Sequence, residues 1–402
     1  MPCTLARMAA LIAWGLASGA ALAQDVVSGG AWLPLPLYQE VMANPVKPAG
    51  RPYAGVGSSA GLQAFLANDA TALGGPGPVH WVGSDLALTP AQIADYLTVG
   101  PGRFDDPAGH GPLVQIPAAY VSVMVSYKGP AGPVTLTTEQ LCQLFSGNVD
   151  RWSQLGVAVP PGLDAFKLVY RADGSGITDM LTRHLRLACG AASPIAFRAA
   201  SAFADAFKPG LPPPHFVAAV GESGVAAAMA GNVSAITYLG PAAEFTAGLK
   251  PAWLVNGRDG VAYLPTPANV MAAVASDRQA ALPAGGVVVR SPSSPGWSAP
   301  DNLGNPANWV RIVADPAEGY PIVGSTNFVL SQCYADPAIA VAVRLFLKRF
   351  YEDAARVASH QLTPLPAGMR ARLLGVFVNG SGNGASLSIG HAAVCGDVAG
   401  RG

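Results

Sequence analysis

The octet Arg171-Ala172-Asp173-Gly174-Ser175-Gly176-Ile177-Thr178 combines residue types suited to holding an anion. It stands between an apolar, strand-like run, Phe166 to Tyr170, and a run in which Ile177, Met180, Leu181 and Leu185 recur at helical spacing. A Gly-Ser-Gly turn that opens a helix leaves backbone N–H groups unpaired at the positive end of the helix dipole. Arg171 adds a planar cationic fork and Ser175 a hydroxyl donor, and Asp173 is close enough to hold the guanidinium in place. The same residues also suit an ordinary strand–turn–helix connection, so the rest of the chain has to decide between the two.

Other segments share the pattern. Gly55-Val56-Gly57-Ser58-Ser59-Ala60-Gly61 is a second glycine turn at a helix start, and Ser28-Gly29-Gly30-Ala31-Trp32-Leu33 precedes a third helical run, Pro36 to Met42. Gly83-Ser84-Asp85 offers a carboxylate before a helical run that begins near Thr89. Gly57-Ser58-Ser59-Ala60-Gly61 also satisfies G-x-S-x-G, with Ser59 as a nucleophile for a serine hydrolase or phosphatase. That alternative needs His360 or His391, and Asp336 or Asp397, brought to Ser59 by the fold. No G-K-[ST] follows a glycine-rich turn, which excludes a Walker-type phosphate loop.

The elements that must position these turns alternate between strand and helix. Tyr53 to Val56, Val114 to Tyr127, Ala235 to Leu239 and Ile322 to Leu330 read as strands. Leu62, Phe65 and Leu66 mark one helix face, and Thr138 to Phe145 is a helix with Thr138 as its N-cap. Ile339, Val343, Phe346, Leu347 and Phe350 mark a strongly amphipathic helix, and 281–308 reads as loop. The alternation predicts an α/β fold with helices on mainly parallel sheets, which bind ligands at the carboxyl ends of their strands. The length predicts two lobes.

Composition narrows the partners. Half of the residues are hydrophobic, 12% are charged and the net charge is zero. That excludes the basic stripe a nucleic acid needs, so any anion site is local. Arg7, the apolar stretch Met8 to Ala20 and Ala21-Leu22-Ala23 form a secretory signal peptide over 1–23, with Gln24 or Asp25 as the mature N-terminus. No cysteine follows that stretch to carry a lipid, and no later run predicts a membrane span. Cys142, Cys189, Cys333 and Cys395 then remain, an even number suited to an oxidising compartment. Three pairings are open. The sequential one is the simplest, because each bridge stays within one half of the chain. The spacing does not match a zinc site, and no metal or other cofactor is expected.

Taken together, these stretches resemble the phosphate-binding component of bacterial phosphate ABC transporters, and more closely its DING subfamily. The family's anion motif, Arg-x-Asp/Glu-x-Ser-Gly-Thr, matches Arg171 to Ile177. Its amino-terminal signature appears in altered form as Asp25-Val26-Val27-Ser28-Gly29-Gly30. Tyr53 to Ser58, Val79 to Asp85, Leu144 to Gly147 with Arg151-Trp152, Gly319 to Ile322 and Ser331 to Asp336 also match, as do the four cysteine positions.

The resemblance implies a type II periplasmic binding-protein fold: two α/β lobes joined by crossing strands near Gln115–Val121 and Thr237–Pro241. Lobe one would be 25–116 plus 242–402, and lobe two 117–241. Phosphate would lie between them, bound by Trp32 and Ile177 through their backbone N–H groups and by Leu33, Ser58, Asp85, Arg171, Ser175 and Gly176, with Asp173 in support. The implied protein is a monomer, periplasmic or secreted, that binds inorganic phosphate and can dock with an ABC permease. Asp85 suits an anion that carries a proton: hydrogen phosphate can donate one to a carboxylate, whereas sulfate cannot. Two positions depart from the family, which usually has threonine where Trp32 and Ile177 stand. At about 1.5–3 kcal/mol per hydrogen bond to a charged group, losing both hydroxyls costs roughly two to four powers of ten in affinity. Ser59, Thr178 or a water could compensate, and Trp32 could stack on a phosphate ester. The alternative is a secreted protein of the same fold whose site is weakened, or retuned to a phosphate ester or a protein partner.

Overall fold

A computed structural model describes residues 25–43, 51–103, 106–190, 196–207, 212–277, 282–283, 286–310 and 312–402. The expected signal peptide lies outside the described residues. The protein is α/β in two lobes, each built on a mixed sheet. The first sheet runs in spatial order Thr363–Pro364, Leu113–Ser122, Val323–Ser331, Trp81–Ser84, Ser28–Gly30 and Ala54–Gly55. The second runs Lys250–Pro251, Met124–Lys128, Ala235–Leu239, Lys167–Arg171 and Phe216–Ala219. A small third sheet pairs Thr135–Leu136, Trp253–Val255 and Ala262–Tyr263.

Mainly parallel sheets were expected, and the sheets are mixed. Val323–Ser331 runs antiparallel to both of its neighbours, and Met124–Lys128 antiparallel to both of its own. Within these two sheets, the parallel pairs are made by the strands that deliver the glycine turns: Ser28–Gly30 with its two neighbours, and Lys167–Arg171 with its two. Apolar runs report burial but not strand direction, so both kinds of strand look alike in sequence.

Val114 to Tyr127, expected as one strand, is two. Leu113–Ser122 belongs to the first sheet and Met124–Lys128 to the second, with the change of sheet at Val123. Val123 is fully buried; its N–H donates to the Ile322 carbonyl at 2.9 Å, and its own carbonyl accepts from Tyr320 Oη at 3.0 Å. The first crossing expected at Gln115–Val121 therefore falls inside a first-sheet strand. Around the second, the chain is in the second sheet through Leu239 and returns to it at Lys250–Pro251.

Local chemistry accounts for the helix starts. Thr89 and Thr137 each accept from the N–H three residues on, while Gln92 and Gln140 reach back, closing capping boxes. The cap of the helix Thr138–Ser146 is thus Thr137, one residue before the expected Thr138. Asp336 caps Pro337–Glu352, whose buried face is Ile339, Val343, Phe346, Leu347 and Phe350. Phe346 stacks on Trp81 at 4.5 Å, and Tyr38, Phe328 and Phe350 close the same aromatic cluster. Each such buried ring contributes about 1.5–3 kcal/mol of transfer free energy. The bridges are Cys142–Cys189 and Cys333–Cys395, the sequential pairing. Among the described residues, no helix is long and apolar enough to cross a membrane.

Candidate anion-binding site

The octet folds as strand, turn and helix. Lys167–Arg171 ends at the guanidinium, and the helix Gly176–Ala188 starts behind Ser175. Ser175 is buried at the N-cap without using its side chain to cap, which leaves its hydroxyl available. Arg171 is 2% exposed, and its fork is met by Asp173: Nε to Oδ1 at 2.7 Å and Nη2 to Oδ2 at 2.5 Å. Asp173 Oδ1 also accepts the Gly221 N–H at 2.9 Å. Burial works against both charges, but the pairing outweighs it, holding Arg171 above and Asp173 below their ordinary pKa values.

The first lobe supplies the facing half. Ser58 opens the helix Ser58–Ala67 after Gly57, and Asp85 follows the strand Trp81–Ser84. Ser58 Oγ accepts the Asp85 N–H at 3.1 Å, so the hydroxyl proton remains free to donate. Asp85 is 6% exposed and its Oδ1 has no hydrogen-bond partner. Desolvation pushes its carboxyl up to about 7, with the neighbouring Glu222 charge adding to the rise and Arg171 opposing it. Thr326 Oγ1, buried beside it, makes no well-formed hydrogen bond, yet its hydroxyl is the strongest influence holding the Asp85 carboxyl down against that rise.

The two halves are in contact. A Cβ on Gly176 would stand 2.3 Å from Asp85 Cβ, so only glycine allows the octet to close on the first lobe here. Ser59 donates its N–H to Gly174 O at 3.4 Å, and its Oγ lies 3.4 Å from Ser201 Oγ. Trp32 is wedged between Gly55 of the first lobe and Gly221 of the second, with its indole Nε1 buried and unpartnered. Leu33 packs against Gly240. Beside Asp85 a narrow inter-lobe cleft, with a cavity volume of about 20 Å³, is lined by Met180, Arg183, Ile312 and Gly324.

Trp32, Leu33, Ser58, Asp85, Arg171, Asp173, Ser175, Gly176 and Ile177 therefore lie around one interface. The two compensating hydroxyls considered from sequence are engaged elsewhere: Thr178 Oγ1 with Tyr238 Oη at 2.9 Å, and Ser59 with Ser201. The side chain of Ile177 is fully buried in the core. Sequence reasoning missed Glu222, a fully buried carboxyl on the helix Gly221–Ala230. Its signal was present: Gly221-Glu222-Ser223-Gly224 follows a strand and opens a helix, the same pattern used at the other turns. Two of the residues the hydrolase reading offers are engaged elsewhere. His360 bonds Glu40, and Asp336 caps a helix. Among the described residues, no cluster of His, Cys, Asp and Glu could hold a metal ion.

Residues 17–295 match the model of the PBP superfamily domain. The chain is 35% identical over 402 residues to a phosphate-binding protein from an unknown prokaryotic organism, covering 92% of this chain and 98% of that one. This chain belongs to the PBP superfamily, in its DING family. It is also 34% identical to alkaline phosphatase L of Pseudomonas aeruginosa over 381 residues, covering 93% of this chain and 94% of the relative. The crystal structure of a DING protein superposes with a TM-score of 0.76 at 33% identity, covering 94% of this chain and all of the other. A high-affinity periplasmic phosphate-binding protein, solved with phosphate at pH 8.5, gives a TM-score of 0.74 at 31% identity over 94% of this chain and all of its own.

Proposed function

We propose that the protein is an exported, monomeric receptor that captures inorganic phosphate, as hydrogen phosphate, between its lobes and delivers it to an ABC-type permease. The observation that carries this reading is the pairing of opposites across the closed cleft. A buried, matched guanidinium lies on one side, and a buried carboxyl with an unpartnered oxygen on the other. A proton-bearing oxyanion satisfies both; sulfate leaves the Asp85 carboxylate facing lone pairs. Ser58, Ser175 and the N–H groups of Trp32, Leu33, Gly176 and Ile177 supply the remaining donors. The Trp32 indole N–H takes over from a threonine hydroxyl. In this reading the second lobe runs from Met124 to Pro251, following sheet membership, and the two disulfides leave closure free.

Calorimetric titration of the mature, ligand-stripped protein with phosphate and with sulfate tests the assignment. Micromolar or tighter binding of phosphate alone is expected; equal binding of both, or of neither, rejects it. The name shared by the Pseudomonas aeruginosa relatives favours a second reading, phosphomonoester hydrolysis. Release of product from an aryl phosphate by the purified wild-type protein would establish it.

A further inference from the structure

We propose that Arg401 is a positioning residue for the anion site. It fastens together the far ends of the two first-lobe elements whose near ends present Ser58 and Asp85, and through them it sets the discrimination between phosphate and sulfate. The inference rests on the phosphate reading and adds a remote support to the half of the site that tells ligands apart.

Arg401 is fully buried, yet every acceptor its fork meets is neutral. Nη1 donates to the Phe65 carbonyl at 2.9 Å, to Asn68 Oδ1 at 2.8 Å and to the Val79 carbonyl at 3.0 Å. Nη2 donates to Tyr96 Oη at 2.9 Å, and the guanidinium carbon lies 3.8 Å from the centre of the Phe65 ring. A buried charge is costly unless its hydrogen bonds are made, so these acceptors hold Arg401 in one place as firmly as it holds them. The segment 396–402 delivers it. Cys395 is bridged to Cys333, the Arg401 N–H donates to the Cys333 carbonyl at 3.0 Å, and the Arg401 carbonyl accepts the Ala335 N–H at 3.0 Å.

The acceptors belong to the elements that build the site. Phe65 is in the last turn of the helix Ser58–Ala67, and Asn68 is its C-cap, left-handed at φ 54°. Val79 leads into the strand Trp81–Ser84, which Asp85 follows. Asn68 Oδ1 also accepts the Val79 N–H at 3.0 Å, so amide and guanidinium together join the helix end to the strand start. At the opposite ends, Ser58 Oγ accepts the Asp85 N–H. Helix and strand are thus tied at both ends, by the anion site at one and by Arg401 at the other. Little slack lies between them. A Cβ on Gly61 would stand 2.5 Å from Gly30 Cα, so the helix lies backbone to backbone on the strand Ser28–Gly30, and a shift at its far end reaches Ser58. The cation also stands at the negative end of the helix dipole whose positive end faces the site.

Calorimetric titration of Arg401→Met, Arg401→Lys and the wild type with phosphate and with sulfate tests this. Methionine keeps an unbranched apolar stem and removes the donors; the lysine ammonium offers three hydrogens to the three acceptors of Nη1. Arg401→Met is expected to weaken phosphate about tenfold and to lower the phosphate-over-sulfate ratio by a similar factor, the effect of misplacing one hydrogen bond to a charged group. Arg401→Lys is expected to recover most of that ratio. In an Asp85→Asn background, Arg401→Met is expected to lower the ratio no further, the non-additivity of residues that act through one another. An unchanged ratio in folded Arg401→Met, with only the melting temperature lowered, overturns the inference and leaves the phosphate reading standing. If Arg401→Met fails to fold, Asn68→Gly, which keeps the left-handed cap and deletes Oδ1, is judged by the same ratio. No phosphate binding by the wild type overturns the phosphate reading itself, and this inference with it.

Discussion

The two halves of the site are built on opposite principles. On the second lobe, Arg171, Asp173 and the Gly221 N–H form a closed hydrogen-bonded set in which each charge is matched. On the first lobe, Asp85 Oδ1, Thr326 Oγ1 and Trp32 Nε1 are buried without partners. The matched half is preorganised, and an anion gains its charge complementarity there at little reorganisation cost. The unmatched half is where ligands are told apart, because a buried polar atom left unpaired costs about 1–3 kcal/mol, and more if charged. Affinity should therefore depend most on the matched Arg171 set, and selectivity on the unpartnered groups, Asp85 Oδ1 on the first lobe and Glu222 Oε2 on the second.

The largest expected effect tests the matched half. Arg171→Ala removes the cation and strands Asp173, and breaking a buried pair in this way costs about 3–5 kcal/mol. Phosphate affinity should fall by two to four powers of ten on calorimetry, with sulfate affinity falling alongside. A loss of selectivity at near-normal phosphate affinity would reverse the roles assigned to the two halves.

Asp85→Asn tests the unmatched half. Phosphate should weaken about tenfold to a hundredfold while sulfate gains, because the amide donates where the carboxylate could only accept. The substitution has a second signature, in stability. The folded-state pKa of Asp85 is raised from 3.8 to about 7, so between those values the folded protein holds a proton that the unfolded chain has released. Its contribution therefore turns unfavourable as pH rises through that window, and the penalty is complete above about pH 7. At 1.36 kcal/mol per unit, the penalty has an upper bound of about 4 kcal/mol, and parting of the lobes relieves some of it. In urea unfolding without anion, Asp85→Asn should match the wild type near pH 4 and exceed it at pH 8. A stability difference independent of pH would show that the Asp85 carboxyl is solvated.

Much of this contrast was legible in the sequence, and the matched half most of all. Arg171, Asp173 and Ser175 lie within one short turn, so local spacing fixes their geometry. Ser58 and Asp85 were legible through the same strand–glycine–helix pattern, but their meeting with Gly176 depends on strand order across two sheets. The break at Val123 was hidden because the residues on both sides are equally apolar; the change of sheet is set by pairing with residues 320–322, some two hundred positions away. Glu222 escaped because a glutamate in the first turn of a helix usually faces solvent and complements the dipole. Here the fold drives it inward, toward Gly240 and Arg171.

A last substitution, with an effect on affinity no larger than that of Asp85→Asn, separates two roles of Trp32. The indole fills space between Gly55 and Gly221, and its Nε1 is a buried donor without a protein partner. A residue that only wedged the lobes apart or together would be replaced well by another aromatic ring. Trp32→Phe keeps most of the apolar contact and deletes the N–H. If that N–H reaches the bound anion, the loss is one hydrogen bond to a charged group, about 1.5–3 kcal/mol, or roughly one to two powers of ten in phosphate affinity. The variant should fold, and in the absence of anion the relief of a buried unpaired donor should offset part of the packing lost with the smaller ring. Unchanged phosphate affinity would reduce Trp32 to packing. The first lobe would then discriminate through its carboxyl alone.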